Sequence, residues 1–492
     1  MLFHSHLFLF GFLPVLLLGF FVLGRFNPKW AAAWLGLGSL FFYGFWSIKA
    51  LPLLLGSIIV NYMFGLKLAR PSSPDNAHAR KSYLIFALIL NLGLLGFFKY
   101  AHFFIENTNQ LLEAADLHLL PTLTLILPIG ISFFTFTQIA FLVDCYQGKV
   151  RETSFIHYLV FVTYFPHLIA GPVLHHLQMM PQFSKPDTYR VNADKIALGI
   201  AIIAIGLAKK MLVADPLGEY ANTLFNAVPH DLHPTLWVSW LGVLSYTMQI
   251  YFDFSGYSDM AIGLSLLFGI YLPINFNSPY KATSMIDFWR RWHISLSSFL
   301  RDYLYFPLGG NQKGKVRRYV NLLVTMILGG LWHGASWTFV LWGAAHGLFL
   351  VINHAWRTFI GSERTYLSLV AKTVSWPVTF LSVCFTWVIF RANSVSEALP
   401  IYKGMLGLNG IGTSAQINPG ILAYILIALV IALRFKNTQE LFSLHEKTQS
   451  DHTVTQSHNT LFSLSIALIA IVLFWISVLK IGGSSPFLYF QF

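Results

Sequence analysis

Two histidines carry the chemistry a reader would look for first in this chain. Both lie in the stretch 284–347, SMIDFWRRWHISLSSFLRDYLYFPLGGNQKGKVRRYVNLLVTMILGGLWHGASWTFVLWGAAHG. His293 sits where charge and tryptophan are dense, and His333 sits inside the run 319–342, which has no formal charge. Imidazole is the side chain whose ordinary pKa suits proton transfer near neutrality. An ionisable group at membrane depth is a functional candidate by default, because placing it there is costly.

Read as one helix, the first half puts Trp289, His293, Leu296 and Leu300 at i, i+4, i+7 and i+11, on one face. Arg290, Arg291 and Arg301 fall largely off that face, and Asp287 reaches Arg290 or Arg291 at i+3 or i+4. Two readings stand: an amphipathic surface helix with a packed histidine, or a histidine presented to a site. The run 319–342 is long enough to span a bilayer, which takes roughly 20 apolar residues. Gly329 and Gly330 lie at i−4 and i−3 from His333 and leave its imidazole little side-chain cover. They allow either a close helix contact or the access that a general base requires.

Other motifs exclude more than they assign. The segment 287–318 carries seven basic residues against Asp287 and Asp302. Such a segment attracts anionic headgroups, at about 1 kcal/mol per basic residue, or the phosphates of a donor. GGNQKGK lacks the P-loop spacing, and YFDFSGYSD contains no serine-hydrolase elbow. Asp253 and Asp259, at the end of an apolar span, read as interhelical partners; Asp144 and Tyr146 read as structural. His346 reads as a neutral core histidine, and His445-Glu446 fails as HExxH because no histidine stands at 449. Cys145 and Cys384 lie in no CxxC or Cys/His cluster, so neither a metal site nor a disulfide is expected.

The elements that must position these residues are membrane helices. Of 492 residues 55% are hydrophobic and 11% charged, against about 25% charged in soluble domains. The net charge of +12 fits basic cytoplasmic loops; no basic, aromatic-interleaved soluble segment points to nucleic acid. Apolar runs occur near 7–24, 31–47, 51–66, 83–104, 122–143, 155–174, 196–213, 235–252, 257–273, 319–339, 340–356, 374–391, 421–434 and 460–479. Some are short or polar, which gives about eleven or twelve crossings with the rest re-entrant or interfacial. The first run lacks a basic leader and a small-residue cleavage site and reads as a retained span. Gly171-Pro172 implies a broken helix, either a plain kink or a cavity lining. Basic residues at 25–29, 67–81 and 149–151 place those turns in the cytoplasm, and the acidic loop 105–120 outside. With the loop 435–459 inside, both termini are expected on the periplasmic side. No internal repeat or soluble domain is visible, so residues 1–492 are expected to form a single membrane-embedded domain.

The run DFWRRWHISLSSFLRDYLYFPLGGN followed by GGLWHGASW resembles the membrane-bound O-acyltransferase superfamily. More narrowly, it is similar to the bacterial branch typified by the alginate O-acetyltransferase membrane subunit. The likeness extends to 251–280, to LPIGISFFTFTQIAFLVDCYQG (127–148) and to FPHLIAGPV (165–173), a motif core of 127–347 flanked by spans in 1–120 and 374–480. Gln312 departs from the branch, which has a basic residue after GGN. The resemblance implies an all-α polytopic fold, a ring of transmembrane helices around a central tunnel. It implies no resident cofactor and acetyl-CoA as donor. His333 would be the base and His293 would position the thioester or stabilise the oxyanion. Trp289, Arg290, Arg291, Trp292, Ser295, Trp332, Gly329 and Gly330 would line the donor path. It further implies a bacterial inner-membrane location and O-acetylation of an exopolysaccharide, alginate- or cellulose-like. The acetyl group would pass through a periplasmic SGNH-hydrolase-like partner of the polysaccharide synthesis complex. Two other readings remain: D-alanylation of teichoic acid from a carrier protein, and transport, although the paired half-helices a transporter would show are not seen.

Overall fold

Helix punctuation follows the chemistry of the chain. Asn27 stands extended between two apolar helices, Leu13–Phe26 and Pro28–Trp46. Its side chain accepts the Lys29 amide at 2.9 Å, and Pro28 takes the first helical position. The same device recurs at Asn418, whose side chain accepts the amides of Gly420 and Ile421 at the start of Pro419–Arg434. The computed structural model describes residues 1–71, 73, 76–150, 152–230, 232–360, 365–444, 460–483 and 486–488. Arg151, the pair His445-Glu446, most of the loop 435–459 and the last four residues lie outside the described residues.

Among the described residues there are helices and no strands. Within these residues six helices are long and apolar enough to cross a membrane: Leu7–Phe26, Ile48–Leu68, Ala77–Ala114, Ala193–Ala227, Trp337–Thr358 and Thr373–Arg391. Three shorter apolar helices join them, Ile131–Tyr146, Pro419–Arg434 and Ala467–Leu479. The protein is an all-α polytopic membrane protein.

Several boundaries differ from the sequence reading. The run 235–252 and the first part of 257–273 form one helix, Leu236–Leu267; Asp253, Phe254, Ser255 and Gly256 between them include no proline to break the backbone ladder. Asp253 and Asp259 therefore stand within a helix and not at its end. The acidic loop begins later than expected, since Ala101–Ala114 continues the preceding helix. The run from 122 is not helical until Ile131, after Gly130 adopts φ 72°.

Close contacts divide the chain into two units, Met1–Ile203 with Met260–Pro273, and Ala204–Asp259 with Ile274–Phe492. In the first, Phe8, Phe42, Phe165 and Phe268 are buried; Phe165 meets each of the other three with ring centroids 5.6–5.9 Å apart. Buried amides join its helices: Asn91 Nδ2 donates to Asn61 Oδ1 at 2.6 Å and Gln138 Nε2 to Ser57 Oγ at 2.9 Å. Asp144 meets His176 Nδ1 at 3.0 Å, a structural place for that carboxylate. The broken helix expected at Gly171-Pro172 is present: a four-residue helix, Phe165–Leu168, is followed by irregular chain up to the helix at His176.

The second unit is held by buried ion pairs. A π-helical turn at Lys209–Ala214 carries Lys209 and Lys210. Lys209 Nζ lies 2.6 Å from Asp259; Lys210 Nζ lies 2.6 Å from Asp253 and 2.8 Å from Asp215. Asp259 also accepts from Thr438 Oγ1 and Gln439 Nε2, and Asp253 from the Leu488 amide at 2.9 Å. Both aspartates are thus interhelical partners. Removing one member of a buried pair strands the other charge, at about 3–5 kcal/mol. Lys210→Met should therefore sharply lower the thermal unfolding temperature of the purified protein in detergent. Unchanged unfolding would mean these charges do not hold the unit together.

Candidate functional site

The site begins at a break in a helix. Ser284 caps Met285–Arg291, its Oγ accepting the Asp287 amide at 3.2 Å. The helix stops at Trp292, and His293 takes φ 43°, ψ 55° before a second helix, Ile294–Leu300. The single helix expected over 284–300 is thus two. Trp289, His293, Leu296 and Leu300 are all buried, but no one helix carries them. Left-handed backbone at a non-glycine residue costs on the order of 1–3 kcal/mol and persists only where its surroundings impose it.

The imposing element is the extended segment around Asn275. Its carbonyl accepts the Ile294 amide at 3.0 Å, and the Asn277 amide donates to the Arg291 carbonyl at 2.9 Å. Asn275 Oδ1 accepts the Ser295 amide at 3.1 Å and the Ser295 hydroxyl at 2.9 Å, and lies 3.2 Å from His293 Nδ1. The Arg291 carbonyl and the Ile294 and Ser295 amides at the break are therefore paired. Asn275 is the partner of His293 that the sequence reading missed. Its signal was a polar amide in LPINFNSPY, a stretch read only for resemblance.

His333 is the last residue of the helix Gly314–His333, and Trp337 opens the next, Trp337–Ile360. The uncharged run 319–342 is thus a helical hairpin and not one span, turned at 334–336. Gly329 and Gly330 do not leave the open gap expected beside His333. A Cβ on Gly330 would lie 2.2 Å from the Phe339 carbonyl, and one on Gly329 3.0 Å from Leu300 Cδ1. They serve helix contact, with Gly343 doing the same from the other side, where a Cβ would lie 2.3 Å from the Met326 carbonyl. His333 is 5% exposed. Aromatic rings surround it, Trp342 at 5.1 Å and Phe390 at 5.2 Å edge-on, and Phe339 at 6.4 Å.

The structure brings the two histidines together on Trp332. That indole is centred 6.1 Å from His293 and 5.0 Å from His333, so the two imidazoles lie within about 11 Å of each other. Trp289 and Trp292 pack in one core with Phe339, Trp342 and Phe390, the rings around His333. Trp289 Nε1 donates to His346 Nδ1 at 3.3 Å, so His346 accepts there and carries its proton on Nε2 as a neutral core ring. Of the basic residues, Arg291 is tied to Asp287 at 2.9 Å and Arg301 to Asp302 at 2.7 Å. Arg290, Lys313, Lys315 and Arg317 are exposed, and Arg318 bonds His354. Two buried histidines in an apolar surround suit proton transfer sheltered from bulk water.

The model of the MBOAT, membrane-bound O-acyltransferase family, matches residues 88–394, which contain both histidines, Asn275 and Trp332. The chain is 45% identical to the peptidoglycan O-acetyltransferase of Helicobacter pylori, over 84% of this chain and 81% of that one. It is 38% identical to the probable alginate O-acetylase AlgI of Azotobacter vinelandii over the whole of both chains. A more distant relative, the teichoic acid D-alanyltransferase of Bacillus subtilis, is 28% identical over 56% of this chain and 71% of that one. The histidines on their shared tryptophan stand inside a family match of this extent, and the chain belongs to the membrane-bound O-acyltransferase family of membrane acyltransferases.

Proposed function

We propose that this protein takes an acetyl group from cytosolic acetyl-CoA and passes it across the bacterial inner membrane for O-acetylation of a polysaccharide, through a periplasmic SGNH-hydrolase-like partner. The observation that carries this reading is the meeting of His293 and His333 on Trp332 inside the family-matched region. The relatives named above act, by their names, on peptidoglycan and alginate. What those acceptors share is a sugar hydroxyl, and that is the acceptor chemistry assigned to this chain. A D-alanyl reading has less support, since the relative so named is 28% identical over little more than half of the chain.

In this reading His333 takes the proton of the acceptor hydroxyl as its oxygen attacks the thioester carbon, and the thiolate leaves with a proton returned to it. His293 positions the thioester or stabilises the developing oxyanion. The rings of Trp342, Phe339 and Phe390 keep water from competing as a nucleophile. Trp289, Trp292, Ser295 and Trp332 line the donor's approach, and the basic surface with Arg290 and Arg291 receives the donor's phosphates.

Three outcomes are expected. Purified wild-type protein in lipid nanodiscs releases CoA thiol from acetyl-CoA when a hydroxyl acceptor is supplied, and His333→Ala lowers that turnover about 10²–10⁴-fold with unfolding temperature unchanged. Near wild-type turnover in folded His333→Ala would remove the assignment, and turnover only with an acyl-loaded carrier protein would move the chain to the D-alanyl class. His293→Ala/His333→Ala together should be hardly worse than His333→Ala alone, since residues acting as a unit are non-additive; multiplicative losses would mean that His293 only packs.

The orientation rests on the basic loops. It places the segment 313–318, exposed over 313–317, on the cytosolic face, with both termini periplasmic. A cysteine at Lys315 should react with a membrane-impermeant maleimide only after the inner membrane is opened. Reaction in cells with only the outer membrane permeabilised would reverse the donor side.

A further inference from the structure

His293 carries its proton on a defined nitrogen, and Asn275 decides which. Both side chains are fully buried. Asn275 Oδ1 receives the Ser295 backbone amide at 3.1 Å. A backbone N–H can only donate, so the atom facing it is the oxygen, and the orientation of the Asn275 amide is settled by its surroundings. That oxygen can only accept. His293 Nδ1 lies 3.2 Å from the same oxygen and must therefore hold a hydrogen. A neutral imidazole with Nδ1–H has its lone pair on Nε2. Asn275 Nδ2 is buried and donates to no group among the described residues. All the hydrogen bonding this side chain does is thus acceptance at Oδ1.

We propose that Asn275 is a positioning residue that fixes His293 in the Nδ1–H tautomer, so that Nε2 receives an N–H or O–H of a substrate and does not donate to the oxyanion. The inference rests on the acyl-transfer reading above and chooses between the two roles left to His293 there. A neutral ring held this way has no hydrogen on Nε2 to offer an oxyanion. The left-handed backbone of His293 belongs to the same device. The Ile294 amide on the Asn275 carbonyl and the Ser295 amide on Oδ1 hold the backbone on the C-terminal side of His293, while Oδ1 holds the ring.

Two variants test it, Asn275→Ala and Asn275→Asp, assayed as acetyl-CoA turnover against pH in nanodiscs beside thermal unfolding. A carboxylate also accepts from all three donors and loses no bond that Nδ2 makes. It favours imidazolium, so an Nε2 that must be proton-free is lost at higher pH. Asn275→Asp should keep turnover within about threefold at alkaline pH, with the acid limb of the profile raised by about one pH unit. Asn275→Ala frees the ring and should lower kcat about 100-fold, the scale of a misplaced reacting group, with little change in KM. An Ala variant that folds and keeps kcat would overturn the proposal. So would a folded Asp variant as poor as Ala with its acid limb unmoved, and so would failure of both variants to fold, which would assign Asn275 to the backbone alone. Absence of turnover in the wild type would instead remove the acyl-transfer reading itself.

Discussion

Inside a membrane protein no backbone polar group can be left to water, and this constraint governs the site more than any single contact does. The chain breaks a helix at Trp292 and His293 and again at 334–336, each time next to a histidine. At the first break the freed groups are taken up by a neighbouring extended segment, with Asn277 on the Arg291 carbonyl and Asn275 on the Ile294 amide. Without that segment the break would expose unpaired amides in an apolar core, and a continuous helix would be the better solution. The local sequence 284–300 does not ask for a break, since it contains neither glycine nor proline. Histidine is among the residues enriched in left-handed backbone, but tertiary pairing decides that it adopts it here.

The second histidine is placed by size complementarity. Gly330 and Gly343 let the two arms of the hairpin approach within van der Waals contact of backbone, and the helix end at His333 follows from where that contact stops. Gly334 belongs to the same fit, because a Cβ there would lie 2.2 Å from the Phe339 ring, the ring that also stacks over His333. Small residues therefore do two things at once: they close the hairpin and they bring an aromatic wall onto the imidazole. The expectation that glycine would leave His333 open failed because space beside a helix in an apolar core is filled by the next helix.

Much of this was legible in sequence. Charge and hydropathy gave an all-α membrane protein, and the two histidines were visible as ionisable groups in apolar context. Asp253 and Asp259 were correctly read as partners, because paired charges are the usual fate of aspartate inside a membrane unit. The breaks beside the two histidines, unlike the one at Gly171-Pro172, were not legible, because periodicity reports which residues are buried and not whether one helix buries them. Trp289, His293, Leu296 and Leu300 satisfy the helical spacing and are buried, yet they lie on two helices. Asn275 was invisible for a related reason. Its role is defined by residues 18 and 20 positions away, and a single asparagine in an apolar run has no pattern of its own.

Buried ionisable groups in this protein meet two kinds of partner. Lys209, Lys210 and His176 each meet a carboxylate, Asp259, Asp253 and Asp144 respectively. Pairs of this kind tie one element of a unit to another, which suits a staple. His293 meets an amide oxygen, and His333 meets aromatic edges and faces. Neutral partners of this sort orient a ring without setting a charge beside it. A hydroxyl attacking a thioester needs a group that can take a proton and return it to the leaving thiolate without help from bulk water. On the acyl-transfer reading proposed above that group is His333, with Trp332 between it and the His293 ring, while the carboxylate-paired lysines hold the scaffold.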